Sequence, residues 1–234
     1  MSKQPLILLP GLLCDAALWA HQAEGLADVA DVRVADLTTH RSMAGLARAV
    51  LDGAPDTFAL AGLSMGGYVA QEILRQAPRR VSRLALVDTN ARADMPEQSE
   101  RRRAMMTLAQ GGKLDAVARQ MLAALVHPDR LEDPLIRDAW LGMAERIGLE
   151  GYINQQTAIL NRVDGRADLG AVTCPALVLC GADDQLTPPE VHEEMAAAIG
   201  ENAELVVVDD CGHLSPLERP DAVNAAFRAW LERG

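Results

Sequence analysis

Four apolar residues, Phe58-Ala59-Leu60-Ala61, run without a break into Gly62-Leu63-Ser64-Met65-Gly66-Gly67, and a stretch of helical period follows over 67–77, closed by Pro78. A short continuous apolar run bounded by turn residues reads as a buried strand. Gly-x-Ser-x-Gly between a strand and a helix is a turn so tight that its serine is held in a strained conformation with the hydroxyl exposed at the top of the sheet. Small residues two before and two after the serine let strand and helix approach, and Gly62, Gly66 and Gly67 meet that need. The pentapeptide alone recurs by chance. Its place between a strand and a helix makes Ser64 the candidate nucleophile.

The rest of the chain repeats this alternation. Leu6-Ile7-Leu8-Leu9, stopped by Pro10-Gly11, reads as the first strand and Val32-Arg33-Val34 as the second. Leu84-Ala85-Leu86-Val87, Leu177-Val178-Leu179-Cys180 and Leu205-Val206-Val207-Val208 read as the fourth, fifth and sixth. Helical spacing marks 18–26, 43–51, 190–199 and 222–231. Short apolar runs alternating with helices predict an α/β fold, with a mostly parallel sheet of about six strands flanked by helices.

Between the fourth and fifth strands the rhythm breaks. Residues 93–168 carry Met105, Met106, Leu108, Met121, Leu122, Leu125, Trp140 and Met143 at mostly helical spacing, with nothing that reads as a strand. This predicts a helical cap over one edge of the sheet's carboxyl end, inserted in a core formed by 1–92 and 169–234. Its methionines fit either a flexible substrate-facing lining or helix–helix packing.

The length of 234 residues and 49% apolar content suit one compact domain with a sizeable core. A formal net charge of −11 disfavours a nucleic-acid partner, which needs clustered Lys and Arg. The one basic run, Arg101-Arg102-Arg103 beside Glu97 and Glu100, reads as a solvated helix face, with carboxylate binding as the alternative. No secretory signal opens the chain and no apolar stretch approaches 18 residues, so neither export nor a membrane is expected. The four cysteines (Cys14, Cys174, Cys180, Cys211) lack metal-site spacing and are too few for a disulfide framework, which predicts a reduced, cytoplasmic setting.

A serine hydroxyl needs a base to take its proton. Of five histidines, His21 and His192 fall in helical stretches and read as polar-face or packing residues; His40 lies in a loop and His127 in the insertion. His213 sits just past the last strand, in Asp209-Asp210-Cys211-Gly212-His213, where open α/β sheets place their ligands. The third member is a carboxylate that orients the imidazole. Asp183 and Asp184 follow the fifth strand and Asp88 ends the fourth. Asp184 is favoured, with Asp183 facing solvent or capping the loop and Asp88 as a turn or helix-capping residue. An oxyanion needs two backbone N–H donors. Met65, after the serine, offers one; the Pro10-Gly11-Leu12-Leu13 loop offers the other, from Leu12 first and Leu13 second. Cys14 stands nearby with no base at suitable spacing.

Taken in order, Leu8-Leu9-Pro10-Gly11 with Trp19, the Ser64 motif, Gly181-Ala182-Asp183-Asp184 with Pro188, and Gly212-His213 with Glu218 and Pro220 resemble the α/β-hydrolase superfamily over nearly the whole chain. The resemblance implies an acid three residues after Gly181, which is Asp184, an oxyanion donor at Leu12, and a cap between strands. Pro10-Gly11 replaces the family's usual His-Gly, and the sheet begins at what is normally the third of eight strands. Gly-Leu-Ser-Met-Gly-Gly with Asp184, Thr187, Pro188 and Pro189 is similar to the 3-oxoadipate enol-lactonase and small carboxylesterase branch. A serine nucleophile argues against the haloalkane dehalogenases and epoxide hydrolases that resemble it.

These residues predict a serine hydrolase acting on a small carboxylic ester or lactone, with no metal or organic cofactor required. Carbon–carbon bond hydrolysis, cofactor-free perhydrolysis and a ligand receptor retaining the triad are the alternatives. Leu13, Leu186, Leu214, Trp140 and Met143 are the expected substrate-binding residues. The sequence leaves the substrate, the carboxylate-binding arginine and the choice of monomer or homodimer open.

Overall fold

Strands with near-continuous apolar runs belong inside a sheet covered on both faces, and the computed structural model, which describes residues 3–233, arranges them so. Met1, Ser2 and Gly234, at the ends of the expected core, lie outside the described residues. The six strands are β1 (Gln4–Leu9), β2 (Ala30–Val34), β3 (Phe58–Leu63), β4 (Val81–Val87), β5 (Ala176–Gly181) and β6 (Ala203–Val208). They form one sheet of order β2-β1-β3-β4-β5-β6, and every pairing is parallel. β3 and β5 are buried along their whole length, whereas the edge strands β2 and β6 alternate with exposed positions.

The helices of the sheet layers are α1 (Ala20–Gly25), α2 (Met43–Gly53), α3 (Met65–Gln76), α7 (Pro189–Ile199), α8 (Ser215–Glu218) and α9 (Pro220–Glu232). Right-handed crossovers put α2, α3 and α7 on one face. The chain steps the other way from β1 to β2, which puts α1 on the opposite face, where it packs on α9. Trp19, Phe227 and Trp230 fill that second layer, with ring centroids 5.9 and 5.6 Å apart.

The step from β4 to β5 is made by α4 (Pro96–Leu108), α5 (Leu114–Leu125) and α6 (Pro134–Leu160). α6 bends at Gly148, where φ is 66° and ψ −179°, a conformation open to glycine alone. Trp140 Nε1 donates to the Ala118 carbonyl and ties α6 to α5. The end of α5 is stitched to the loop after β6, because the Leu125 carbonyl accepts from the His213 N–H at 2.8 Å. No helix among the described residues is long and apolar enough to cross a membrane.

Strand order reverses at β1, whose neighbours β2 and β3 are reached in opposite directions. Open α/β sheets form their ligand crevice at the carboxyl ends beside such a reversal. The loops after β1 and β3, which carry Leu12 and Ser64, leave the sheet there.

Candidate active site

Ser64 is the single residue between β3 and α3, with φ 53° and ψ −113°. That conformation costs on the order of 1–3 kcal/mol and persists only where its surroundings over-determine it. Here they do. The Ser64 N–H donates to the Val87 carbonyl, and the Ser64 carbonyl accepts from Gly67 N–H at 2.9 Å and from Thr89 Oγ1 at 2.7 Å. A Cβ at Gly66 would collide with the Leu9 carbonyl, and one at Gly62 with the Gly66 carbonyl. Glycine at both positions lets β1, β3 and α3 meet around the turn.

His213 Nδ1 lies 2.7 Å from Asp184 Oδ2, with both side chains buried. Asp184 Oδ1 accepts from the N–H groups of Leu186 and Thr187, and Oδ2 also accepts from Thr187 Oγ1 at 2.7 Å. The carboxylate is therefore fixed before the histidine reaches it. Burial pushes Asp184 up, but the His213 charge and these donors outweigh it and hold the carboxyl below its ordinary range. For His213 burial works against the charged form, and the Asp184 carboxylate overcomes it, raising the imidazole above its usual value. With Nδ1–H directed at Asp184, Nε2 keeps its lone pair. Nε2 is buried, makes no hydrogen bond among the described residues, and belongs to a side chain that lines the same cavity as Ser64. Glu218 brackets the histidine, accepting from Gly212 N–H and Leu214 N–H through Oε1.

The three candidate acids separate in space. Asp183 is exposed and its carboxylate faces His127, 3.6 Å away. Asp88 does not cap α4, which starts eight residues on; it is wholly buried at φ 44°. It accepts from Gly181 N–H, Ser215 N–H and Ser215 Oγ, tying β5 to the start of α8. Burial first, then the nearby Asp184 charge, pushes Asp88 well above the ordinary carboxylate range.

In the loop after β1, the Leu13 N–H is taken by Gln155 Oε1 at 2.9 Å. Leu12 lines the cavity with its N–H uncommitted among the described residues. Met65 opens α3, so its N–H has no earlier turn to bond. Cys14 also borders the cavity, but burial, reinforced by Asp15, holds its thiol protonated.

The cavity has a volume of about 210 Å³. Leu186, Leu214 and Trp140 are on its wall; Leu13 and Met143 are not. Leu13 turns inward at φ 58° into the sheet's core, and Met143, nearly a turn past Trp140 on α6, is consumed by helix packing. Met105 and Met121 line the cavity, whereas Met106 packs against the core. Elsewhere, His127, Asp129 and Asp210 bring potential metal ligands within 4.8 Å of one another, but Arg130 and Arg219 pair with Asp210 and compensate its charge.

One functional link was not visible in the sequence. His192, at the start of α7, is fully buried; its Nε2 accepts from Thr89 N–H at 2.9 Å and its Nδ1 lies 3.2 Å from the Pro188 carbonyl. Thr89 also holds the Ser64 carbonyl, and Pro188 follows the Asp184–Thr187 turn. A neutral imidazole thus joins the serine turn to the acid loop, and burial lowers it to about 4. A folded value below the ~6.5 of a free imidazole means that the unfolded chain takes up this proton first as pH falls. The stability concerned is full above pH ~6.5 and is lost between there and about 4, up to about 3 kcal/mol. Gln at this position keeps an acceptor and does not titrate. Urea unfolding at pH 7 and 4.5 is expected to show a smaller acid loss for His192→Gln than for the unsubstituted protein; equal losses would refute the link.

Residues 6–226 match the model of the alpha/beta hydrolase family. A curated relative named as a non-heme bromoperoxidase (BpoC) of Mycobacterium tuberculosis is 30% identical over 173 residues, which cover 71% of this chain and 64% of that protein. Among solved structures, a thermophilic esterase from Thermogutta terrifontis with malate bound is 31% identical, with 98% of this chain and 90% of that one covered and a TM-score of 0.88. The enol-lactonase from Burkholderia xenovorans LB400 is 26% identical, with 100% and 93% covered and a TM-score of 0.90.

Proposed function

The chain belongs to the alpha/beta hydrolase family, and we propose that it hydrolyses a small carboxylic ester or lactone through an acyl-serine intermediate. The observation that carries this is the Asp184–His213 pair: the His213 Nε2 has no hydrogen-bond partner among the described residues, and His213 lines the cavity that Ser64 borders. Ser64 Oγ attacks the carbonyl carbon as His213 Nε2 takes its proton. The oxyanion accepts from Leu12 and Met65 N–H. The tetrahedral intermediate collapses, the ester C–O bond breaks, and the alkoxide leaves with the proton from His213. In a lactone the alkoxide stays tethered to the acyl group. Water, deprotonated by the same nitrogen, then releases the acid. Asp184 stays ionised throughout and holds the imidazole by Nδ1.

The similarity to an esterase and an enol-lactonase supports this chemistry. At about 210 Å³ the cavity is smaller than the ~300–1,000 Å³ of drug-sized sites, which favours a short substrate. Its wall is largely aliphatic near the catalytic side chains, with Leu12, Leu186 and Leu214.

A fluorophosphonate is expected to modify the protein once, at Ser64, and the same preparation is expected to turn over p-nitrophenyl acetate. Peptide mapping that finds the label elsewhere, or labelling without turnover, would overturn the reading.

A further inference from the structure

The turn that carries Leu12 is strained, and the group that holds it comes from 142 residues along the chain. Gly11, Leu12, Leu13 and Cys14 form a four-residue turn, closed by the Cys14 N–H donating to the Gly11 carbonyl at 3.1 Å. Its third residue, Leu13, has φ 58°, while Leu12 keeps a negative φ. That is the pattern of a type II turn, whose third position normally belongs to glycine. A buried leucine occupies it here. Rotating the Leu12–Leu13 peptide would carry the turn to type I, in which no residue needs a positive φ. The turn also runs beside the nucleophile, since a Cβ at Gly11 would stand 3.5 Å from Ser64 Cβ.

Two contacts fix that peptide. Leu13 N–H donates to Gln155 Oε1 at 2.9 Å, and Cys14 Sγ, a weak donor, lies 3.5 Å from the Leu12 carbonyl. In a trans peptide the N–H and C=O point to opposite sides, so the plane is held at both edges, more firmly by Gln155. Pro10, where the superfamily usually has histidine, offers no hydrogen-bonding side chain, and the acceptor comes from the cap instead. Gln155 lies on α6 beyond the Gly148 bend, in a stretch over 151–160 with no exposed residue. It is fully buried and does not border the cavity. Its Nε2 has no hydrogen-bond partner among the described residues, an uncommon state for a buried polar atom. The one polar contact of this buried side chain is therefore the acceptor aimed at Leu13 N–H. α6 also meets the loop through Arg146 and Asp15, 2.6 Å apart, but that is a surface pair past the end of the turn.

Resting on the ester or lactone reading above, we propose that Gln155 is a positioning residue for the oxyanion hole. By accepting from Leu13 N–H it keeps the Leu12–Leu13 peptide from rotating, and so keeps Leu12 N–H aimed at the oxygen that becomes negative. The same contact removes Leu13 N–H as a competing donor. Acylation and deacylation both pass through an oxyanion. The cap thus acts on both steps through a side chain that never touches substrate.

The test measures kcat and KM on p-nitrophenyl acetate for Gln155→Met, Gln155→Glu and Arg146→Gln. Methionine fills a similar volume with no comparable acceptor. Glutamate keeps the acceptor, and burial holds its acid neutral. Losing an oxyanion donor outright costs about 10²–10³ in kcat, so a misaimed one in Gln155→Met is expected to cost about ten- to a hundredfold. KM should stay within about twofold, because both chemical steps slow together. Gln155→Glu is expected to keep at least about a third of kcat, and Arg146→Gln all of it. Inhibition by butylboronic acid, whose serine adduct places an oxygen where the oxyanion forms, should weaken for Gln155→Met by the factor that kcat falls. Unchanged kcat in Gln155→Met, a KM that moves as far as kcat, a Gln155→Met chain that does not fold, or a Gln155→Glu protein equally slow would overturn the positioning role. The hydrolytic reading fails separately, if the unsubstituted protein does not turn over the ester.

Discussion

Replacing Ser64 by alanine is expected to lower kcat/KM on p-nitrophenyl acetate by at least about ten-thousandfold. The substitution removes one oxygen and keeps the Cβ, so the strained turn at φ 53° and its clamps from Val87, Gly67 and Thr89 are retained. Thermal unfolding should be nearly unchanged, which separates chemistry from folding. The remaining rate would belong to the proposed oxyanion donors and to binding, which survive the loss of a nucleophile. Cys14 is the other nucleophilic atom on the wall, and its buried, protonated thiol cannot substitute. Cys14→Ser is accordingly expected to change turnover little. A Ser64→Ala protein that keeps more than about one hundredth of the activity would mean another residue makes the acyl-enzyme.

The serine turn was legible because geometry leaves its sequence few options: only glycine fits at 62 and 66, and only a strand and a helix can be joined so closely. The six strands were legible for the same kind of reason, since doubly covered strands must be apolar throughout. Asp184 and Asp183 were not separable by residue type. What distinguishes them is the turn through Thr187, which directs one carboxylate to His213 and leaves the other facing His127. His192 was read as helix surface or packing because a helical histidine carries no mark of what lies beyond its ring; its partners are 103 residues away at Thr89 and four away at Pro188. Leu13 and Met143 had the right chemistry and the wrong direction, which a backbone at φ 58° and close helix packing decide. The Arg101-Arg102-Arg103 run is the instructive case. Charged runs on helices usually face water, but α4 has no fully buried residue and no apolar face to orient it. Its stripe of Gln98, Arg101, Arg102 and Met105, all on the cavity wall, was present in the sequence; the cavity beneath it was not.

Replacing Asp184 by asparagine is expected to cost about ten-thousandfold in kcat, by a route that pH exposes. Asparagine can still accept from Leu186 and Thr187 N–H through one oxygen, so the acid loop should hold. Its amide then meets His213 Nδ1, which must become the acceptor, and the ring proton moves to Nε2, where the base was needed. The charge is lost as well. In the unsubstituted protein His213 lies above the usual imidazole value because the Asp184 carboxylate outweighs burial. The proposed mechanism requires the neutral ring, so kcat/KM should rise with pH through that raised value and level off above it. Without the carboxylate, burial alone acts on the ring and favours its neutral form, so the acid limb should move to lower pH even as the plateau collapses. Asp183→Asn, at an exposed side chain outside the pair, should leave both plateau and limb in place. Asp88→Asn should act on folding, because each Asp88 oxygen accepts from a buried N–H and an amide NH₂ would face a donor. Its urea midpoint should fall by an amount matching a buried unsatisfied donor, about 1–3 kcal/mol. A pH profile that moves for Asp183→Asn, and not for Asp184→Asn, would place the catalytic carboxylate elsewhere.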